Sequence, residues 1–196
     1  MNTAFIGDIH GCLEELIYVS RRALAEAERL VFLGDYVDRG PNSKAVIDEL
    51  ISLKSEYPQR TVFLGGNHDA EFIRVLKTDV APDLFLRMGG AKTIRSYLEP
   101  PYEQALPRLR SEVPRSHLEF LSTLQPAYFG VGVMAVHDKS DIAIDGRFVV
   151  AGHNSQASLK PRITQDFALI DTGCGTIRGG RLTCFVWPSK DWWQSP

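Results

Sequence analysis

The sequence predicts an α/β fold in which two β-sheets pack against each other and helices flank them. In the first half of the chain, short apolar runs alternate with stretches of helical periodicity, as is typical of an α/β domain. In the second half, apolar runs follow each other with short connections, which indicates a second sheet packed on the first. The 196 residues are enough for a single domain with a substantial core.

Apolar runs with the length and composition of buried strands occur along most of the chain. They are Thr3–Ile6, Leu30–Leu33, Thr61–Leu64, Tyr128–Val136, Arg147–Ala151, Phe167–Ile170 and Leu182–Trp187. The fourth run contains two glycines, and it is predicted to be one long strand. The other runs contain no cluster of glycine and proline.

Helical periodicity fills the gaps between the first strands. Leu13, Leu16 and Leu24 belong to one apolar stripe, and Val46 and Leu50 to another that follows the start signal Pro-Asn-Ser. A third stripe follows the third strand. Residues 81–125 are predicted to form a helical insert beside the functional site, with prolines marking its breaks.

Composition and charge disfavour several classes of function. The formal net charge of −2 gives no basic stripe for nucleic acid, which is therefore not an expected partner. No apolar stretch approaches the roughly 20 residues that a membrane crossing needs. The three cysteines, Cys12, Cys174 and Cys184, are scattered and odd in number, so we expect reduced thiols in a soluble, cytoplasmic protein.

Candidate metal ligands follow the predicted strands directly. In open α/β sheets, ligands bind outside the carboxyl ends of the strands, so residues far apart in sequence can meet in one pocket. Oxygen and imidazole donors without thiolates suit manganese, iron, zinc and similar divalent ions. The candidates are Asp8, His10, Asp35, Asn67, His137 and His153.

Three motifs in order resemble those of the calcineurin-like metallophosphoesterases, and within them the phosphoprotein phosphatase group. They are GDIHG at 7–11, GDYVDRG at 34–40 and GNHD at 66–69. Residues 85–98 and 170–186 resemble the small bacterial and phage branch, which includes bacteriophage lambda phosphatase. The resemblance therefore covers nearly the whole chain.

The resemblance implies a site for two divalent ions, most readily Mn²⁺, with iron, zinc or nickel as alternatives. A hydroxide that bridges the ions would attack phosphorus in line with the leaving oxygen. By the same resemblance, the ligands of the first ion would be Asp8, His10 and Asp35, and those of the second Asp35, Asn67, His137 and His153.

The resemblance also implies a general acid and phosphate-binding groups. His68 would protonate the leaving group and Asp38 would orient it, a pairing that makes chemical sense because an imidazolium held by a carboxylate is a good acid near neutral pH. Arg39 would bind phosphate oxygens through its planar fork, and Asn67 would also contact phosphate.

The sequence departs from the family pattern around His137. The family usually has HAG or HAD there, followed by a Trp-x-Arg segment that supplies a second phosphate-binding arginine, whereas this chain has VHDKS at 136–140 and no such segment. The basic residues that could replace the missing arginine are Lys139, Arg147, Arg162 and Arg178.

His117 lies outside every motif and is predicted to be an exposed helix residue.

Three functions are compatible with these motifs. The first is a metal-dependent phosphomonoesterase of the protein serine/threonine phosphatase type, which acts on a phosphorylated protein or a small phosphoester. The second is symmetrical hydrolysis of diadenosine tetraphosphate. The third is a metal-binding scaffold that has lost turnover, which the missing arginine segment would favour and the retention of His68 and Asp38 disfavours.

Overall fold

The computed structural model describes residues 2–141 and 146–196. Within them, the strands are Thr3–Ile6 (β1), Arg29–Phe32 (β2), Thr61–Phe63 (β3), Ala127–Gly130 (β4), Val133–Val136 (β5), Phe148–Ala151 (β6), Arg162–Ile163 (β7), Phe167–Leu169 (β8), Thr183–Trp187 (β9) and Trp192–Gln194 (β10). They form two five-stranded sheets, ordered β10-β9-β1-β2-β3 and β4-β5-β6-β8-β7. The predicted α/β fold with two sheets is confirmed.

Three adjacent strands of each sheet are parallel. In the first sheet β1, β2 and β3 run in the same direction, and in the second sheet β5, β6 and β8 do. The outer strands β10, β9, β4 and β7 pair antiparallel with their neighbours. Each sheet therefore brings the carboxyl ends of its parallel strands to one edge, which is where the candidate ligands follow.

Helices flank the first sheet and continue between β3 and β4. Among the described residues, none of them combines the length and hydropathy that crossing a membrane requires. Their bounds are Leu13–Glu26 (α1), Ser43–Glu56 (α2), Asn67–Lys77 (α3), Asp83–Arg87 (α4), Gly90–Tyr97 (α5), Ala105–Glu112 (α6) and Arg115–Ser122 (α7).

The alternation of side chains along β1 divides the core into two layers. Ala4 and Ile6 belong to the apolar cluster between the first sheet and the helices. Phe5 points the other way, into a cluster that joins the two sheets and includes Phe148 and Phe185. Successive strand residues face opposite sides of a sheet, so a fully apolar β1 is the expected sequence for a strand covered on both faces.

The predicted strand Tyr128–Val136 is wrong as a single element. It is a hairpin of β4 and β5, and the chain turns at Val131 and Gly132. Gly132 has φ +71°, a conformation that glycine adopts without the steric cost of a side chain. The two glycines in this run were the signal for the turn. The short edge strands β7 and β10 were not predicted.

The prediction that His117 is exposed is also wrong. Only 1% of this residue is accessible. Its Nε2 donates to Asp48 Oδ1 at 2.8 Å, and its Nδ1 accepts from the Tyr97 hydroxyl at 2.8 Å. His117 therefore joins α7 to both α2 and α5, through partners that lie 69 and 20 residues away.

Candidate metal centre

The candidate ligands lie at the carboxyl ends of strands from both sheets. Asp8 and His10 follow β1, Asp35 follows β2, and Asn67 begins α3 after β3. His137 directly follows β5, and His153 follows β6 by one residue. The first sheet thus contributes four of these side chains and the second sheet two.

The Asp35 carboxylate lies at the centre of this group. Its Oδ2 is 3.4 Å from His137 Nε2, 3.7 Å from His10 Nε2 and 4.0 Å from His68 Nε2. In the described part of the chain, two sets of ligand atoms are close enough to share a metal ion, and both contain Asp35: one with His10 and His68, the other with His137 and His153. Asp35 is therefore the residue common to both halves of the site.

Backbone carbonyls fix the orientation of two histidines. His10 Nδ1 donates to the Val37 carbonyl at 3.0 Å, and His137 Nδ1 donates to the Leu33 carbonyl at 3.0 Å. In a neutral imidazole, a proton on Nδ1 leaves the lone pair on Nε2. Both Nε2 atoms are directed at Asp35. Metal-ligating histidines are commonly held in this way through their other nitrogen, and a metal ion would take the place of any proton on Nε2.

Around His137 the donor atoms are crowded. Its Nε2 lies 3.0 Å from Asn67 Oδ1 and 3.2 Å from His153 Nδ1. Asn67 Oδ1 is also 2.9 Å from His153 Nδ1. One oxygen and two imidazole nitrogens thus lie within 3.2 Å of each other, a group of ligand atoms that fits a divalent cation.

The electrostatics of the group also favour positive charge. Burial alone would lower the pKa of His137, but the hydrogen bond to Asp35 and the surrounding carboxylates raise it to about 10. Burial would raise the pKa of Asp35, but the hydrogen bond and charge of His137 keep it below its usual range. His10 behaves differently: burial lowers its pKa to about 4, so it remains a neutral donor.

Asp8 faces the second sheet. Its carboxylate accepts a hydrogen bond from the backbone N–H of His153, at 3.0 Å to Oδ2. A Cβ added to Gly152 would lie 2.1 Å from Asp8 Oδ1, so only glycine allows this close approach. Burial, together with the charge of Asp171, raises the pKa of Asp8 well above its usual value.

His153 has φ +63°, the left-handed conformation that is uncommon for residues other than glycine.

His68 and Asp38 form a buried pair next to the ligand group. His68 Nδ1 donates to Asp38 Oδ2 at 2.8 Å, and the other carboxylate oxygen of Asp38 accepts from the Thr93 hydroxyl at 2.6 Å. The backbone N–H of His68 donates to Asp35 Oδ1 at 3.0 Å. His68 Nε2 therefore lies on the side of Asp35. Burial raises the pKa of Asp38, and its hydrogen bonds with His68 and Thr93 oppose this.

Arg39 lies at the edge of the ligand group. Its Nη1 donates to Thr176 Oγ1 at 3.0 Å and lies 3.2 Å from His10 Nε2. A cationic group thus sits against one of the lone pairs that face Asp35, and Thr176 connects it to the segment after β8.

The four candidates for a replacement arginine lie in different surroundings. The Nζ of Lys139 is 3.6 Å from the centre of the Phe167 ring, and the Arg162 guanidinium is 5.5 Å from the same ring. Arg147 stacks over Phe129 at 4.8 Å. Arg178 is exposed, in the segment that contains the Arg39 partner Thr176.

Asp69 and Thr93 support the site, although neither was predicted from the sequence to have a role. Asp69 Oδ2 accepts from the backbone N–H of Asp35 at 2.8 Å and of Gly66 at 3.0 Å, and Oδ1 accepts from Tyr36 N–H at 2.9 Å. Burial and the charge of Asp35 raise the pKa of Asp69 to about 7. Its position in GNHD was the available signal for this role; the position of Thr93 in α5 gave none.

The chain belongs to the calcineurin-like phosphoesterase family, whose model matches residues 1–156. This confirms the resemblance at the level of the family. The assignment to the small bacterial and phage branch remains a prediction.

Similar proteins include two named as serine/threonine-protein phosphatases. One, from Schizosaccharomyces pombe, is 44% identical over 69 residues, which are 35% of this chain and 22% of that protein. The other, named PP2A-like PPG1 from Candida albicans, is 39% identical over 69 residues, 35% of this chain and 17% of that protein. The matched stretch thus spans about a fifth of the length of these relatives.

Solved structures share the fold across the whole chain. One described as a diadenosine tetraphosphatase has a TM-score of 0.67 and 21% identity, covering 100% of this chain and 93% of that one. A metallophosphoesterase from Sphaerobacter thermophilus has a TM-score of 0.61 and 15% identity, covering 100% and 88%. At these identities the likeness concerns the fold.

Proposed function

We propose that the protein is a metal-dependent phosphatase that hydrolyses phosphoric monoesters, with phosphoserine and phosphothreonine in proteins as its substrate class. One observation carries this proposal: the donor atoms that converge on Asp35 lie beside a histidine that is hydrogen-bonded to a buried carboxylate. The family of the chain and the phosphatases among its relatives support it.

The proposed ligands would hold two divalent ions, for which Mn²⁺ is our first choice. The oxygen and imidazole donors and the absence of thiolates among them suit this ion. When bound, such ions supply Lewis acidity, which activates water and neutralises charge on phosphate. The ligand set is Asp8, His10 and Asp35 on one side and Asp35, Asn67, His137 and His153 on the other.

His68 is the proposed general acid. Asp38 accepts from its Nδ1, so a proton on Nε2 would face the ligand group, where the leaving oxygen of a bound phosphate ester would lie. Arg39, with Asn67, would hold the phosphate oxygens. Among the replacement candidates, Arg178 is favoured because its segment contains the Arg39 partner Thr176, whereas the other three cations lie over aromatic rings.

A substrate panel tests this function. The metal-stripped protein is incubated with Mn²⁺ or with EDTA, and the release of phosphate from p-nitrophenyl phosphate and a phosphoserine peptide is measured, alongside the cleavage of diadenosine tetraphosphate. We expect Mn²⁺-dependent hydrolysis of both monoesters. If the protein cleaves only diadenosine tetraphosphate, the proposed function is wrong and the protein is a dinucleotide hydrolase. If it binds Mn²⁺ but turns over none of the substrates, it is a metal-binding scaffold.

We also infer a cytoplasmic location, because all three cysteines are free thiols, which suits a reducing compartment.

A further inference from the structure

Asp138 contacts the far edge of His153. Its Oδ2 lies 3.5 Å from His153 Nε2, on the opposite side of the imidazole ring from Nδ1. Nδ1 is the atom that faces the ligand group, at 2.9 Å from Asn67 Oδ1 and 3.2 Å from His137 Nε2. The two ring nitrogens of His153 therefore have separate partners.

The Asp138 carboxylate is itself held in place. Its Oδ1 accepts a hydrogen bond from the backbone N–H of Ser140 at 2.9 Å, at the start of the short 3₁₀ helix Lys139–Asp141. This local hydrogen bond fixes one carboxylate oxygen and leaves the other directed at His153. The side chains of Asp138 and His153 are 25% and 34% exposed, so the contact is at the rim of the site and is partly screened by water.

A carboxylate 3.5 Å from Nε2 favours the proton on that nitrogen of His153. Because a carboxylate only accepts hydrogen bonds, it favours the tautomer with the proton on Nε2 and the lone pair on Nδ1. Outer carboxylates of this kind orient metal-binding histidines and raise the basicity of the bound nitrogen.

We propose that Asp138 is a positioning residue that holds His153 with its Nδ1 lone pair directed at the metal site and thereby strengthens metal binding there. This inference rests on the proposed function, because it takes His153 to be a ligand. It also gives a role to one departure from the family pattern: where the family usually has a small residue after the histidine, this chain has an acid.

Metal binding, measured apart from activity, tests the proposal. Metal-stripped wild type, Asp138→Ala, Asp138→Asn and His153→Ala are titrated with Mn²⁺ by isothermal calorimetry. The binding step that disappears in His153→Ala identifies the site to which His153 contributes. We expect this step to weaken by about 10–100-fold in Asp138→Ala, and by less in Asp138→Asn, whose amide oxygen can still accept from Nε2. The other step should remain unchanged.

Asp141→Asn is the matched control, because it removes an exposed acid from the same short helix. It should bind Mn²⁺ as wild type does. A second readout is the visible absorption of the Co²⁺-loaded proteins, which reports ligand geometry and should change in Asp138→Ala but not in the control.

Two results would overturn the proposal, and they can be told apart. If Asp138→Ala and Asp138→Asn both bind Mn²⁺ like wild type while His153→Ala loses a step, the positioning role is wrong and the proposed ligand set stands. If His153→Ala retains every binding step, the ligand assignment beneath the proposal is itself wrong.

Discussion

For His68, a role as general acid can be distinguished by experiment from a role in substrate binding or in the fold. One nitrogen is held by Asp38, and the other lies 4.0 Å from Asp35 Oδ2. If His68 donates a proton to the leaving group, His68→Asn should lower kcat by about 10²–10⁴-fold for alkyl phosphates, which have poor leaving groups. The loss should be much smaller for p-nitrophenyl phosphate, because its leaving group needs little protonation.

Steady-state kinetics on the two substrates measures this difference. Asp38→Asn should show the same dependence on the leaving group, since Asp38 orients the same imidazole through its Oδ2. Equal losses on both substrates would mean that His68 acts in binding or in the fold rather than as the acid.

Helices α2, α5 and α7 are joined by a polar network that the sequence did not predict. His117 in α7 donates to Asp48 in α2 and accepts from Tyr97 in α5, and Lys44 also donates to Asp48 at 2.9 Å. Thr93, the partner of Asp38, lies in the same helix α5. The network therefore helps to hold the helix that supports the proposed acid.

Stability measurements on His117→Leu test this network. At pH 7.5 the variant should lose about 1–3 kcal/mol in free energy of unfolding, because the Tyr97 hydroxyl is left without its partner. Burial lowers the pKa of His117 in the folded state, against the opposing effect of Asp48. In the unfolded protein the pKa of His117 is about 6.5. Below that pH the unfolded state binds a proton more readily than the folded state, so the stability that His117 confers is lost as pH falls.

Urea unfolding of both proteins at pH 7.5 and pH 5.5 gives the comparison. The difference between wild type and His117→Leu should shrink at the lower pH. Arg115→Ala is a suitable control, because the ion pair of Arg115 with Glu119 is exposed. This substitution should change the free energy of unfolding by less than about 0.5 kcal/mol. A difference that grows at pH 5.5 would contradict the account of His117.

Features that depend on local sequence patterns could be predicted, and features that depend on distant partners could not. The strand ends and the motifs that follow them are local patterns, and Asp8, Asp35 and His153 lie where those patterns indicated. The roles of His117, Thr93 and Asp138 depend on partners that are distant in sequence, which periodicity does not reveal. The β4–β5 hairpin was missed because two glycines were read as part of a long apolar run.

At the scale of the whole molecule, the proposed site joins the two sheets. Asp35 comes from the first sheet and His137 and His153 from the second, so any ion that they share would link both halves of the sandwich. A ligand that binds only the folded state stabilises it. At a free Mn²⁺ concentration about 100 times its Kd, the gain should be about 2.7 kcal/mol for one site.

Thermal melts of the stripped protein with and without Mn²⁺ measure this gain as a rise in Tm. His137→Ala should reduce the rise, because it removes a proposed ligand that follows β5. Asp166→Asn should retain it, because Asp166 is an exposed residue in the turn between β7 and β8. An equal rise in all three proteins would place the Mn²⁺ site elsewhere.

The donors around Asp35 form, in our proposal, a working metal-dependent phosphatase site. The most direct measurement is the rate of p-nitrophenyl phosphate hydrolysis by stripped wild type and Asp35→Asn, each with and without added Mn²⁺, with folding checked by circular dichroism. We expect hydrolysis that requires Mn²⁺ in the wild type and falls to the buffer background in Asp35→Asn. Hydrolysis that is independent of Mn²⁺, or that persists in folded Asp35→Asn, would contradict it.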